Sequence, residues 1–443
     1  MIVYHRLEKQ EKTIYSINVW PSKSIERDCM ATVSQQTRNW LQICSLTLVG
    51  VAIISSAFHF WPFDKSKAWQ ILCPTNSVLL IWILILMGHL VVKRDYKTFR
   101  SLLPHLSIFA YLAINILSVA FAQDLNRAFN FTFKLVLIFI GGYLLFSSAI
   151  SSVNSFQVVY GLVTVALITS VTFSLLAKIG LISGSFGFFD DPYKYGTYIG
   201  TLTPLCAAYF FMNPRYYKRL LGILLTIGAL TSIGSMGGMM AIFAGMAAFT
   251  IMIRKWSIGI CVITSLSCGI GLALLSGSNP DSESICNDIK LAEEDNINLK
   301  QRYIEWQAEL NLLEERPVTG TAAGCINEYR SNFYYRLPKL NTLKAFDQNG
   351  WITTGAETGI VGLVCFCWIV VYYFKLAYSQ VMAEDRIAYS IAHRFALANF
   401  AGLVAACAAN LFSSVHYNGV LIVFVLVLAL ISRMSLPEKS VKC

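Results

Sequence analysis

Long apolar runs separated by short polar segments recur along this chain. A helix of roughly 20 apolar residues can cross the hydrocarbon core of a bilayer. Twelve such runs stand out, at about 41–61, 76–93, 104–122, 130–150, 157–179, 196–212, 219–235, 236–253, 257–275, 351–374, 395–413 and 416–433. The run 196–212 and the pair meeting near Gly234–Gly238 have the least definite ends. Between 276 and 350 the apolar pattern stops, and a connection of that length is usually functional or separately folded. Its first part, Asn279 to Asn298, is acidic and polar. From Leu299, Tyr303, Trp306, Leu310 and Leu313 recur at helical spacing, with Arg302, Glu305, Glu309 and Glu314 between them. The spacing predicts an amphipathic helix lying on the membrane or capping the bundle, ended by Pro317 and Gly320. The stretch Cys325 to Tyr335 is rich in tyrosine, suited to stacking on sugar rings or equally to an aromatic belt at the headgroups.

The pattern predicts an all-α integral membrane protein of about 12 transmembrane helices, with a large, partly helical loop between helices 9 and 10. Its parts would be an N-terminal tail (1–40), helices 1–9 (41–275), the loop (276–350), helices 10–12 (351–433) and a C-terminal tail (434–443). Composition agrees with this. Of 443 residues 56% are hydrophobic and 14% charged, with a mean hydropathy of +0.57. Soluble domains carry roughly a quarter charged residues, and a charge at mid-bilayer costs several kcal/mol.

Charge placement adds an orientation. Lys93, Arg94, Lys97, Arg215, Lys218, Arg254 and Lys255 fall on one side of the predicted bundle, together with the basic residues of both tails. By the positive-inside rule that side is cytoplasmic and the long loop external. The net charge of +10 is then a topology signal, and no basic stripe with interleaved aromatics suggests nucleic acid. Residues 1–40 lack the apolar core and cleavage site of a signal peptide and read as a cytoplasmic tail. Most of the twelve cysteines lie in or beside the spans without metal-ligand spacing. Cys286 and Cys325 share the loop, where a disulfide and two unpaired thiols both fit.

Several residues could carry chemistry. A guanidinium presents a rigid fork of donors to phosphate oxygens, so Arg302 could hold a phosphate; it could also pair with Glu305 or Glu309 on a solvated helix face. Gln348 can orient a hydroxyl but cannot take its proton. Asp347 beside it, or Glu357, could serve as a base, while Gln348 and Asn349 could simply cap the helix starting near Trp351. Asp190, Asp191 and Lys194 surround an Asp–Pro turn that reads as a cap or as a carboxylate pair beside a cation. Neither a second acidic cluster nor a His pair accompanies it, so no metal site and no cofactor are expected. His393 and His416 are lone histidines that read as structural.

The run Gln348-Asn349-Gly350 through Gly359-Ile360-Val361-Gly362 resembles the signature of the bacterial O-antigen ligase family. That signature is a His, then Asn, Ser or Gln, nine residues, Gly, two residues and Gly or a similar residue. Asn349, Gly359 and Gly362 match, and Gln348 stands where the family has His. Arg302 with Trp306, Pro317, Gly320 and Gly324 is similar to the family's loop motif, and Gly184 to Tyr198 is comparable to a family Gly-x-Phe and Asn/Asp-Pro segment. At Thr231 to Gly238 the family commonly has Ser-Arg-Gly, and Met236 takes the Arg place; positive charge could come instead from Lys194, Lys178, Lys134 or Arg127.

The resemblance implies a GT-C-like inner-membrane glycosyltransferase that moves a glycan from undecaprenyl diphosphate to a hydroxyl acceptor, the lipid A core in ligases, at the periplasmic face. It implies catalytic roles for Arg302, Gln348 and Asp347, and substrate contacts for Lys194, Asp191, Asn349, Trp306 and Tyr303. Partners would be the lipid-linked glycan, its acceptor and membrane lipids. A polysaccharide polymerase, a non-catalytic glycolipid-binding relative and a transporter are the competing readings. Transporters usually carry broken helices and charges near mid-membrane, whereas these spans hold few charges, chiefly Lys134 near one end and Glu357 two turns in.

Overall fold

A computed structural model describes residues 42–53, 74–93, 102–150, 152–181, 192–253, 256–276, 297–326, 329, 349–384, 390–414, 416 and 418–434. Two compact units divide the chain, Met1–Ser45 and Leu46–Cys443. The first contributes only residues 42–45, where Ser45 Oγ donates to the Gln42 carbonyl at 2.9 Å. Everything that follows concerns the second.

Every regular element among the described residues is a helix. In chain order they are α1 (Gln42–Ile53), α2 (Pro74–Lys93), α3 (Leu106–Ser118), α4 (Leu125–Ala149), α5 (Val153–Lys178), α6 (Pro192–Phe211) and α7 (Tyr216–Ser232). Then come α8 (Met236–Ile253), α9 (Trp256–Ser276), α10 (Ile297–Glu315), α11 (Gly350–Glu384), α12 (Ile391–Ala409) and α13 (Asn418–Met434). Five helices are long and apolar enough to cross a membrane: α4, α5, α8, α11 and α12. Five shorter ones are apolar as well. The chain is an all-helical membrane protein.

α13 sits at the centre, buried without interruption from Val420 to Ile431. Around it α6, α8 and α12 approach one another through small residues. A Cβ at Gly200 would stand 2.8 Å from the Gly238 carbonyl and 2.9 Å from Ala241. One at Gly245 would meet the Pro204 ring at 2.7 Å and the Ala401 carbonyl at 2.8 Å. Where lipid supplies no hydrophobic drive between helices, such close backbone packing is what holds them together. The apolar side chains that remain exposed, among them Val158 and Val165 of α5 and Val364 and Val371 of α11, face away from this core.

α11 departs from the predicted span 351–374. Its backbone breaks at Gly359, with φ 72° and ψ −179°. In a straight helix Trp351 and Phe366 would be about 22 Å apart at 1.5 Å per residue. Their ring centroids are 5.2 Å apart. The segment 350–358 is therefore a half-helix folded back against 360–384. A hydropathy pattern averages over such a break and cannot see it.

Candidate functional site

The folded-back half-helix is held at both ends. At its start, Asn349 Oδ1 accepts from the backbone N–H groups of Trp351 (3.0 Å) and Ile352 (3.3 Å). Of the roles open to Asn349, the structure shows the cap, with the side chain buried. Gly350 N–H donates to the Asn410 carbonyl at 2.8 Å, in the turn after α12, and lies against the Asn410 side chain.

At the break, backbone groups released from the helix find partners in the loop after α10. Ile360 N–H donates to the Pro317 carbonyl at 2.7 Å, and the Ala356 carbonyl accepts from Thr321 N–H at 3.0 Å. Non-helical backbone inside a membrane protein is stable only when its polar groups are satisfied in this way. Close approach of the two chains requires glycine on each side. Gly359 abuts the Val318 carbonyl, and Gly320, with φ 61°, abuts the Glu357 carbonyl. Two of the motif glycines thus have architectural reasons: Gly359 makes the break, and Gly362 leaves room for the Thr358 hydroxyl.

α10 lies against this half-helix with a different face inward from the one its periodicity predicts. Ile304, Glu305, Ala308, Glu309 and Leu312 are buried, while Tyr303 is 65% exposed and Leu310 38%. Trp306 and Leu313 are half-buried. Glu305 and Glu309 are therefore not on a solvated face, which removes that setting for an Arg302 pair. The inward acids have a polar partner across the interface: Thr353 Oγ1 donates to Glu309 Oε2 at 3.0 Å. The Trp306 indole N–H is buried and has no hydrogen-bond partner among the described residues.

Glu357 is also buried. Its carboxylate accepts from the backbone N–H groups of Gly324 and Ile326, and it lies within electrostatic range of Glu309 and Arg127. It pins the loop to the half-helix, a structural task that competes with service as a base. Arg316 stacks over Tyr329 at 4.8 Å and donates to its hydroxyl at 3.4 Å, bracing the same loop from outside. Cys325 is buried in that loop, its Sγ donating to the Asp124 carbonyl at 3.8 Å. Cys286, its suggested disulfide partner, lies outside the described residues.

Asp347, Gln348 and Asp191 likewise lie outside the described residues, and Arg302 is placed only as a position in the first half of α10. Lys194 is half-buried in the first turn of α6, two residues before Gly196, whose Cα packs on Gly238. Lys178 has the more telling position among the four cations. Its Nζ donates to the Thr231 carbonyl at 2.6 Å, at the turn where Met236 stands in the family's arginine place. Met236 itself is 50% exposed. Tyr195 Oη donates to Ser232 Oγ at 2.8 Å and Ser174 Oγ to the Ser232 carbonyl at 3.2 Å, so α5, α6 and α7 converge there.

His416 is the residue whose setting the sequence conceals. It lies in the turn before α13, buried, between Tyr111 of α3 and Ser414. Phe366 stands 5.4 Å away, centroid to centroid, which places the imidazole beside the folded-back half-helix. A lone histidine near a helix start carries no pattern that would reveal this. Among the described residues no three His, Cys, Asp or Glu side chains gather as a metal site would require.

No curated protein matches the chain. Residues 221–367 match the family described as O-antigen ligase. The matched stretch runs from α7 through the Lys178-contacted turn, α10 and its docked loop, to the half-helix and its glycine break. On that stretch, this membrane protein belongs to the O-antigen ligase superfamily.

Proposed function

We propose that the protein is a membrane glycosyltransferase of the ligase type. It would move a glycan from undecaprenyl diphosphate to a hydroxyl on the lipid A core, at the periplasmic face of the inner membrane. The observation that carries this reading is the docking of α10 and its loop onto the motif half-helix. The Thr353–Glu309, Ile360–Pro317 and Thr321–Ala356 bonds bring the segment bearing Arg302 to the segment bearing Gln348.

In the reaction the acceptor oxygen bonds to the anomeric carbon, the bond from that carbon to the diphosphate breaks, and the acceptor proton leaves. Arg302 would hold the diphosphate and stabilise the charge that builds on it. Lys178 and Lys194 would supply the second cation that Met236 does not. Tyr303 and Trp306 would contact sugar, Gln348 would orient the acceptor, and Asp347 and Asp191 would lie at the rim. The twelve predicted spans with both tails cytoplasmic place the loop where a flipped lipid-linked glycan would meet it.

A polymerase would use the same donor with a second lipid-linked glycan as acceptor. The broken helix α11 is a feature shared with transporters. Here its released backbone groups are taken by Pro317 and Thr321 rather than offered to an ion, which weighs for chemistry over transport.

The test is the surface-glycan profile of a deletion strain complemented with wild type or Arg302→Ala. Loss of capped core in the deletion, restored by wild type and not by Arg302→Ala at equal membrane abundance, is expected. Loss of long chains on a retained first unit would assign polymerisation instead. An unchanged profile in the deletion strain would refute both.

A further inference from the structure

The imidazole absent from position 348 has a counterpart in the turn before α13. Both ring nitrogens of His416 meet hydroxyls: Nε2 is 2.7 Å from Tyr111 Oη, and Nδ1 is 3.0 Å from Ser414 Oγ. One fixed acceptor sets the direction of the protons. Thr354 Oγ1 is 2.6 Å from the Gly350 carbonyl oxygen, which can only accept, so Thr354 donates there. Thr354 also meets the Tyr111 hydroxyl, toward which it can then only accept. Tyr111 therefore donates to Thr354 and accepts from His416, which assigns the ring proton to Nε2.

Nδ1 is left with a lone pair facing Ser414. The Ser414 oxygen already accepts from the His416 backbone N–H at 3.2 Å, and its own proton points at Nδ1. This serine borders the motif: a Cβ at Gly350 would stand 3.0 Å from Ser414 Cα. Gly350 is two residues from Gln348.

We propose that Ser414, His416 and Tyr111 form the proton-accepting relay of this site, doing the work of the histidine that Gln348 replaces. The proposal rests on the glycan-transfer reading. As the acceptor oxygen bonds to the anomeric carbon, its proton passes to Ser414 Oγ while the serine proton passes to His416 Nδ1. The leaving diphosphate takes the electron pair of the broken bond. The imidazolium returns its proton to water after the product leaves. Ser414 is the catalytic residue of the three, because it would meet the acceptor. His416 acts through it, and Tyr111 holds the tautomer, as the third member of a nucleophile–base–orienter set does.

The experiment uses the full-length protein in lipid nanodiscs. The donor is lipid-linked glycan extracted from the deletion strain, and the acceptor is core lipopolysaccharide from the same strain. His416→Gln and Ser414→Ala are each expected to lower kcat about 100-fold or more, with donor KM unchanged, as loss of a general base does. Adding Gln348→His to His416→Gln should recover at least ~10-fold, because an imidazole returns to the family's position. Either variant keeping the wild-type melting temperature and kcat within about 3-fold would overturn the relay, since that is under 1 kcal/mol of barrier. So would a His416→Gln loss that Gln348→His leaves unrepaired, which would mark His416 as structural. If His416→Gln does not fold, Ser414→Ala decides, since it keeps the imidazole and breaks only the transfer. A wild-type protein that transfers no glycan would overturn the transfer reading itself, and the relay with it.

Discussion

Thr353 Oγ1 donates to Glu309 Oε2 at 3.0 Å, with both residues buried. The bond joins α10, where Arg302 lies, to the half-helix that follows Gln348. Thr353→Val keeps the shape and removes the donor, leaving a buried carboxylate without it. The expected loss is about 1–3 kcal/mol, seen as a lower melting temperature in detergent, with Thr353→Ser close to wild type. An unchanged melting temperature for Thr353→Val would show that the pair contributes nothing.

Gly359 combines a left-handed φ of 72° with close approach to the Val318 carbonyl. Gly359→Ala should cost well over about 1 kcal/mol, because strain and clash add. Gly320→Ala, at φ 61° against Glu357, should behave alike. The double variant should lose less than the two singles together, since each opens the same seam. Fully additive losses in denaturation experiments would separate the two contacts.

Asn349 serves its helix through a side-chain oxygen shared by two N–H groups. Asn349→Ala should cost roughly 0.5–2 kcal/mol, and Asn349→Asp a few tenths at most. If glycan transfer instead falls steeply in Asn349→Asp while the melting temperature holds, the residue contacts substrate beyond its capping task.

Lys178 reaches the turn at Thr231 from α5. If it replaces the cation missing at Met236, Lys178→Met should raise donor KM roughly 10-fold, the loss of one charged contact to phosphate. Met236→Arg added to Lys178→Met should restore it. Equal donor KM in all three proteins would assign Lys178 to anchoring α7 alone.

Much of the fold was legible because burial in lipid demands long apolar segments, and each of the twelve runs coincides with a described helix. The helix from Leu299 and its end near Pro317 were legible for the same local reasons. Its inward face was not. Periodicity assigns Glu305 and Glu309 outward because charge prefers water, but Thr353 gives Glu309 a buried partner from a segment 44 residues away. The break in α11 was written as a single glycine, and only the approach of Val318 turns that permission into a fold-back. His416 was invisible because its partners, Tyr111 and Ser414, come from distant helices and from a turn without a signature. The match over 221–367 covers the motif and stops short of all three.

The seam between residues 317–321 and 356–360 has an evolutionary reading as well. Its two sides exchange main-chain bonds and tolerate each other only through paired glycines, so neither can drift alone. The loop, which would see the acceptor, and the half-helix, which would see the chemistry, must be inherited as one cassette. A chimera that borrows a relative's loop to change acceptor should assemble only if residues 349–362 travel with it.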